Sequence, residues 1–149
     1  MENRKRNRDR EAMIQAGVNN SPYYQHVGMR VKEFTEQGSV MEMPVAAAHK
    51  NIWGAMHGGA ISSLVDSSCG TAIGPWLLPE VGVVTLDLRV QFMRPVREGL
   101  LTAYGRVVHR TQRYIIAESE VFDQDHNLVA RGSTIHTLIS RPTSKLEGE

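Results

Sequence analysis

Apolar residues recur at helical spacing in one long stretch and alternate with polar residues through most of what remains. Ala60, Ile61, Leu64, Val65, Ser68, Cys69, Ala72 and Ile73 form one apolar or small stripe at steps of three and four, which predicts a helix over 58–73. Gly74-Pro75 follows, where a helix should stop. Between Gly58 and Ile73 there is no Lys, Arg or Glu, although a surface helix would carry charges on its outer face. The other side holds Ser62, Ser63, Ser67 and Gly70, all small. The pattern predicts a helix covered on most sides, with small residues that let another backbone come close.

Strand patterns flank this helix. Before it, Met29 to Thr35 and Ser39 to Val45 read as a hairpin about Gln37-Gly38, and Pro44 marks a strand end or an edge. After it, Val84, Leu86, Leu88, Val90 and Phe92 share one face of a strand. Thr85, Asp87, Arg89, Gln91 and Met93 share the other. The apolar face should pack on the helix, and the polar face should meet solvent or another subunit. Leu100 to His109, Tyr114 to Phe122 and Leu128 to Ile139 complete the strands, separated by turns at Glu98-Gly99, Thr111-Gln112 and Asp123 to Asn127. Upstream, Glu11 to Val18 predicts a short helix broken at Ser21-Pro22. Two strands, one covered helix and four strands define an α+β design, an antiparallel sheet wrapped on a central helix. The expected organisation is a basic, flexible arm with a short helix over 1–20, one domain over 21–140, and a flexible tail over 141–149.

Composition narrows the classes. A chain of 149 residues is one domain. Its 17 Lys and Arg balance 16 Asp and Glu, so no general affinity for nucleic acid or membranes is implied. The single cysteine, Cys69, excludes an intramolecular disulfide framework and reads as a small core residue. Six scattered histidines lack paired ligand spacing, so no metal is expected. No run is apolar enough to span a bilayer and no signal-peptide core follows the basic start, so a cytoplasmic location is the expectation. There is no GxGxxG, Walker loop or GxSxG elbow.

The candidate chemistry lies at the start and middle of the long helix. His57 precedes Gly58 and Gly59, where helical N–H groups lack internal partners and glycine lets a ligand oxygen come close. That arrangement suits an oxyanion or polarised carbonyl, and equally a tight turn that needs glycine. Asp66 is the only charge in the helix; a covered carboxylate is costly unless it is paired, hydrogen-bonded or useful.

Asn51, Gly54, His57-Gly58-Gly59 and Leu64-Val65-Asp66 together resemble the active-site signature of hotdog-fold acyl-CoA thioesterases. The resemblance is to the phenylacetate-pathway (PaaI-like) and thioesterase superfamily member 2-like branch, and it runs from about Tyr24 to Leu138. It implies a hotdog fold, a homodimer or a dimer of dimers, and active sites built across the dimer interface. By this resemblance Asp66 is the general base or nucleophile and the Gly59 amide the oxyanion donor. Asn51 helps bind the thioester or the water, His57 lies near the carbonyl or sulfur, and Thr85 orients the water. Asp66 would come from one subunit, with Asn51, His57 and Gly59 from the other. Substrate and coenzyme A contacts are implied for Gly58, Phe92, Met93, Arg94, Pro95 and Arg97, and for Arg110. Trp53 and Met56 are expected as core or as the acyl-pocket wall. No cofactor is expected, since coenzyme A is part of the substrate. Two other functions fit such a fold. A hotdog (de)hydratase pairs His with an acid in a different motif, and a non-catalytic acyl-CoA-binding regulator has only the basic arm in its favour.

Overall fold

A computed structural model describes residues 8–140. Helices α1 (Arg8–Asn19) and α2 (Pro22–Val27) precede strands β1 (Arg30–Phe34) and β2 (Ser39–Pro44), and helix α3 (Gly58–Ile73) follows. Strands β3 (Val81–Phe92), β4 (Leu100–Arg110), β5 (Tyr114–Phe122) and β6 (Leu128–Ser140) complete the chain. The six strands form one antiparallel sheet in the order β1-β2-β4-β5-β6-β3, with α3 against one face, which is the hotdog arrangement expected.

The stripe on α3 is the reason for that packing. Ile61, Leu64, Val65, Ser68, Cys69, Ala72 and Ile73 are all buried, together with Ser67 and Thr71. Leu64 and Val65 meet Met41, Met43, Leu101, Ala103 and Val121 of the sheet. A fully buried side chain of this kind contributes about 2 kcal/mol. The backbones approach closely where side chains are missing. A Cβ on Gly105 of β4 would lie 2.2 Å from the Ser68 carbonyl oxygen. Ser68 Oγ donates to Ser119 Oγ of β5 at 2.7 Å, and Ser39 Oγ of β2 donates to the Ser68 carbonyl at 2.8 Å.

The small outer face of α3 is covered within the same chain. Pro22 both ends the preceding segment and opens α2, an element the sequence pattern did not foretell. From it, Tyr23 hydrogen-bonds Ser63 Oγ at 2.7 Å, and the half-buried Tyr24 hydroxyl lies beside Ser67.

Two expectations need correction. First, the short helix expected over 11–18 is present as α1, but from residue 8 onward it is not part of a flexible arm. α1 packs Ile14 and Val18 on the core, and its polar side chains bind the sheet edge. The Asn19 side-chain amide accepts from Val31 N–H at 2.7 Å and donates to Val31 C=O at 3.1 Å, as a neighbouring strand would. Gln15 donates to the carbonyls of Val31 and Lys32 at 3.1 and 2.9 Å. Residues 1–7 and the tail over 141–149 lie outside the described residues. Helix α3 stops before Gly74-Pro75, as expected; Gly74 stays right-handed (φ −46°, ψ −48°) and leads into a 3-10 turn over Gly74–Trp76. Glycine serves there because a Cβ would come 3.0 Å from Ile14 of α1. Pro44 ends β2, the first of the two alternatives expected for it, and β2 is an interior strand.

The second concerns β3. Its register against β6 pairs Thr85 with His136 and Asp87 with Ile135, so Leu86 is an extra, bulged residue. The bulge reverses the alternation. Val81, Val83 and Thr85 face α3 before it, and Leu88, Val90 and Phe92 face that side after it. Val84 and Leu86, expected against the helix, are instead exposed, and Thr85 points at Asp66.

Candidate active site

Two groups of side chains form, one at each of two places along α3. The first surrounds its N-terminus. His57 is the N-cap, with its Nδ1 accepting from the Gly59 N–H at 2.8 Å. The Gly58 N–H, in the first turn, meets no acceptor among the described residues. Asn51 folds the segment in front. Its Oδ1 accepts from the backbone N–H groups of Trp53 and Ala55 at 3.0 and 3.1 Å, which leaves the side-chain NH2 without a partner among the described residues. Arg97 steadies the same loop by donating to the Trp53 carbonyl at 2.6 Å.

A cleft of about 320 Å³ opens between this loop and the end of β3. Asn51, Gly58, Phe92, Met93, Arg94 and Pro95 line it, and Met56 and Ile61 give it an apolar floor. A Cβ on Gly58 would lie 3.3 Å from the Phe92 ring, which would have to shift to admit it. Of the two residues expected as core or pocket wall, Met56 is buried in the cleft floor, whereas Trp53 is 73% exposed.

The second group is Asp66, Thr85 and His136. Thr85 Oγ1 donates to Asp66 Oδ1 at 2.8 Å. His136 Nε2 lies 3.2 Å from Thr85 Oγ1 and 3.9 Å from Asp66 Oδ1. The Asp66 side chain is 37% exposed, so water reaches it, while that of His136 is 3% exposed. Burial pushes the His136 imidazole below its ordinary 6.5, and the nearby Asp66 charge opposes the shift. Sequence spacing gave no sign of His136. Only the pairing of β3 with β6 brings it beside Thr85. Cys69, one turn further along α3, is fully buried with its thiol pushed up to about 12 by desolvation, so it is inert.

Gly58 and Asp66 are eight residues apart on one helix, about 12 Å along its axis. Reacting atoms must come within about 3–3.5 Å of one another. One protomer therefore brings together Asn51, His57, Gly58 and Gly59 with Phe92 to Pro95, and separately Asp66 with Thr85. Arg110 joins neither group. Its guanidinium stacks 5.2 Å over the Trp76 ring and donates to the Trp76 carbonyl at 3.3 Å, beyond the C-terminal end of α3. No cluster of three or more His, Cys, Asp and Glu among the described residues is placed to hold a metal ion.

The thioesterase superfamily model matches residues 54–130, more than half of the chain and all of α3 with both glycines and Asp66. The chain belongs to the thioesterase superfamily. A Saccharolobus solfataricus protein with a provisional esterase name is 31% identical over 80 residues, 54% of this chain and 53% of its own length. The chain thus spans about half the length of that relative. The 1,4-dihydroxy-2-naphthoyl-CoA hydrolase of Escherichia coli is 29% identical over 106 residues, 70% of this chain and 72% of that one. A crystal structure of a Haemophilus influenzae thioesterase superposes with a TM-score of 0.80 at 22% identity, covering 90% of this chain and 92% of that one, a likeness of fold.

Proposed function

We propose that the chain hydrolyses acyl- or aryl-CoA thioesters to the free acid and coenzyme A, as a homodimer or dimer of dimers whose sites are shared between protomers. The observation that carries this reading is the division of the site. The cleft with its backbone donors sits at the Phe92 end of β3, and the carboxylate sits at the Thr85 end. Strand β3 is also an edge strand. Its outer side lies open, with Val84, Leu86 and Phe92 exposed, while the other edge, at β1, is occupied by Asn19 and Gln15 of α1. Two copies paired antiparallel along β3, about an axis near Leu88, would set each Thr85 end against the other's Phe92 end. Asp66 and Thr85 of one protomer would then face Asn51, His57, Gly58 and Gly59 of the other.

In such a site the thioester carbonyl points at the start of α3. The free Gly58 N–H is ready for it. In the role expected of Gly59, the carbonyl oxygen replaces His57 Nδ1 on that amide as the exposed ring turns away. One such donor is worth roughly 3 kcal/mol to a developing oxyanion. The unbonded NH2 of Asn51 adds a second direction of approach. Asp66 has one oxygen tied to Thr85 and the other without a bond among the described residues. That oxygen takes the proton of an attacking water, and breakage of the C–S bond then releases the coenzyme A thiolate, which takes up that proton. In the nucleophilic alternative it attacks the carbonyl itself and expels the thiolate, and water then cleaves the resulting mixed anhydride to the free acid and the regenerated carboxylate, its released proton going to the thiolate. Arg94 stands at the cleft for the coenzyme's phosphates. Arg97 shapes the loop, and Arg110 reaches coenzyme A only from the partner protomer. No cofactor or metal enters this scheme, and the proposed location is the cytoplasm. No helix among the described residues is long and apolar enough to cross a membrane.

The test is thiol release from short, medium, long and aryl-acetyl CoA esters by wild type and Asp66→Asn in parallel. Turnover in the wild type that falls by roughly 10²-fold or more in the variant supports the assignment, since general-base catalysis contributes about that much. A folded Asp66→Asn protein with undiminished turnover overturns it.

A further inference from the structure

Buried side-chain atoms without a hydrogen-bond partner are few among the described residues, and His136 Nδ1 is one of them. Its ring lies on strand β6 against α3, over Gly70, where a Cβ would come 3.7 Å from Nε2. Gly70 is one turn beyond Asp66 on the same helix face, so the imidazole lies over α3 beside the carboxylate.

The protons in this cluster can be counted. Thr85 has one hydroxyl hydrogen and two neighbours, Asp66 Oδ1 at 2.8 Å and His136 Nε2 at 3.2 Å. An ionised carboxylate only accepts, so the hydroxyl hydrogen goes to Asp66. His136 Nε2 must then carry the hydrogen that goes to Thr85 Oγ1. In the neutral ring this leaves Nδ1 as a bare acceptor, in agreement with its lack of a partner. A doubly protonated ring would instead bury an unsatisfied N–H and a charge, which is costly.

We propose that His136 is a positioning residue that fixes the direction of the Thr85 hydroxyl, through the chain His136 Nε2–H to Thr85 Oγ1–H to Asp66 Oδ1. The chain holds Asp66 in one orientation and leaves its second oxygen for the water. This rests on the thioesterase reading above. Unlike Asp66 and Thr85, His136 is sealed from solvent, and its hydrogen bond in the cluster is to Thr85, with Asp66 Oδ1 further off at 3.9 Å.

Two measurements test it. The first is a double-mutant cycle of His136→Leu and Thr85→Val, with His136→Gln as the conservative variant that keeps an N–H donor. His136→Leu is expected to lower kcat roughly ten- to hundredfold with KM little changed, the order expected when a reacting group loses its orientation. His136→Gln should recover most of that loss, and His136→Leu should cost nothing further in the Thr85→Val background. Wild-type kcat in His136→Leu, or losses that simply add in the double variant, overturn the proposal. The second is the imidazole 15N spectrum of the wild-type protein. It should show the Nε2–H tautomer, and an Nδ1–H tautomer overturns the proposal whether or not any variant folds. Failure of the underlying reading looks different: wild type is inactive on every ester, or Asp66→Asn is fully active, with the tautomer still readable.

Discussion

At the scale of single residues, His136 couples stability to pH in a direction that can be worked out. Its imidazole is depressed below 6.5 in the folded protein, by burial first, with the charge of Asp66 pulling the other way. The unfolded chain therefore binds this proton at a higher pH than the folded one. Stability from this source is complete above about pH 6.5 and falls as pH drops below it, by at most about 1.4 kcal/mol per unit. Urea unfolding at pH 8 and pH 5 should show a smaller loss in His136→Gln than in wild type. Equal losses would mean that the ring does not titrate across folding. Asp66 itself was legible from the sequence because it is a lone charge in a charge-free helix. His136 was not, because no interval along the chain relates it to residues 66 and 85.

Elements differ in how plainly they announce themselves. The stripe of α3 and the alternation of β5 translate directly into burial, since both keep one period from end to end. In β5, Ile115, Ala117, Ser119 and Val121 are all buried. β3 carries an equally clear alternation, yet it misleads because one bulged residue at Leu86 shifts the phase halfway along. A bulge has no composition of its own, and its effect is to bring Thr85 to the carboxylate. α2 is too short for a period to show, and α1 docks through side-chain amides, which a hydrophobic pattern ignores. The contact between α3 and β4 permits a sharp prediction. Gly105→Ala drives a Cβ into the Ser68 carbonyl, a backbone atom that cannot swing aside. It should cost about 3 kcal/mol, the upper end of overpacking, in urea unfolding at unchanged m. Gly70→Ala, where the new methyl meets the His136 ring at ordinary contact distance, should keep stability or add up to about 1 kcal/mol from helix propensity. Comparable losses in the two variants would contradict this account of the helix–sheet contact.

For the whole molecule, the sheet has two unlike edges. Leu86 on the open edge is 65% exposed, so Leu86→Lys leaves the protomer's core untouched and places a charge where the proposed second copy would pair. Light scattering at micromolar concentration should show a dimer for wild type and a monomer for the variant, with hydrolysis falling in step with dimer content. A fully active monomer would dissociate catalysis from pairing and sink the shared site. The family and the fold were legible from the signature around His57 to Asp66. The division of the site came only with the resemblance, because no pattern along the chain says where β3 lies in the sheet.

The plug that Asn19 and Gln15 form on β1 has a consequence for crowded solutions. A sheet with two bare rims has a valence of two and grows as a ribbon, each copy offering a fresh rim to the next. With one rim stoppered by its own helix, the chain keeps a single bare rim. In the proposed pair two copies would use it up, and the joined sheet would end on both sides in a terminator, so that raising the concentration would fill the pair without seeding a fibre.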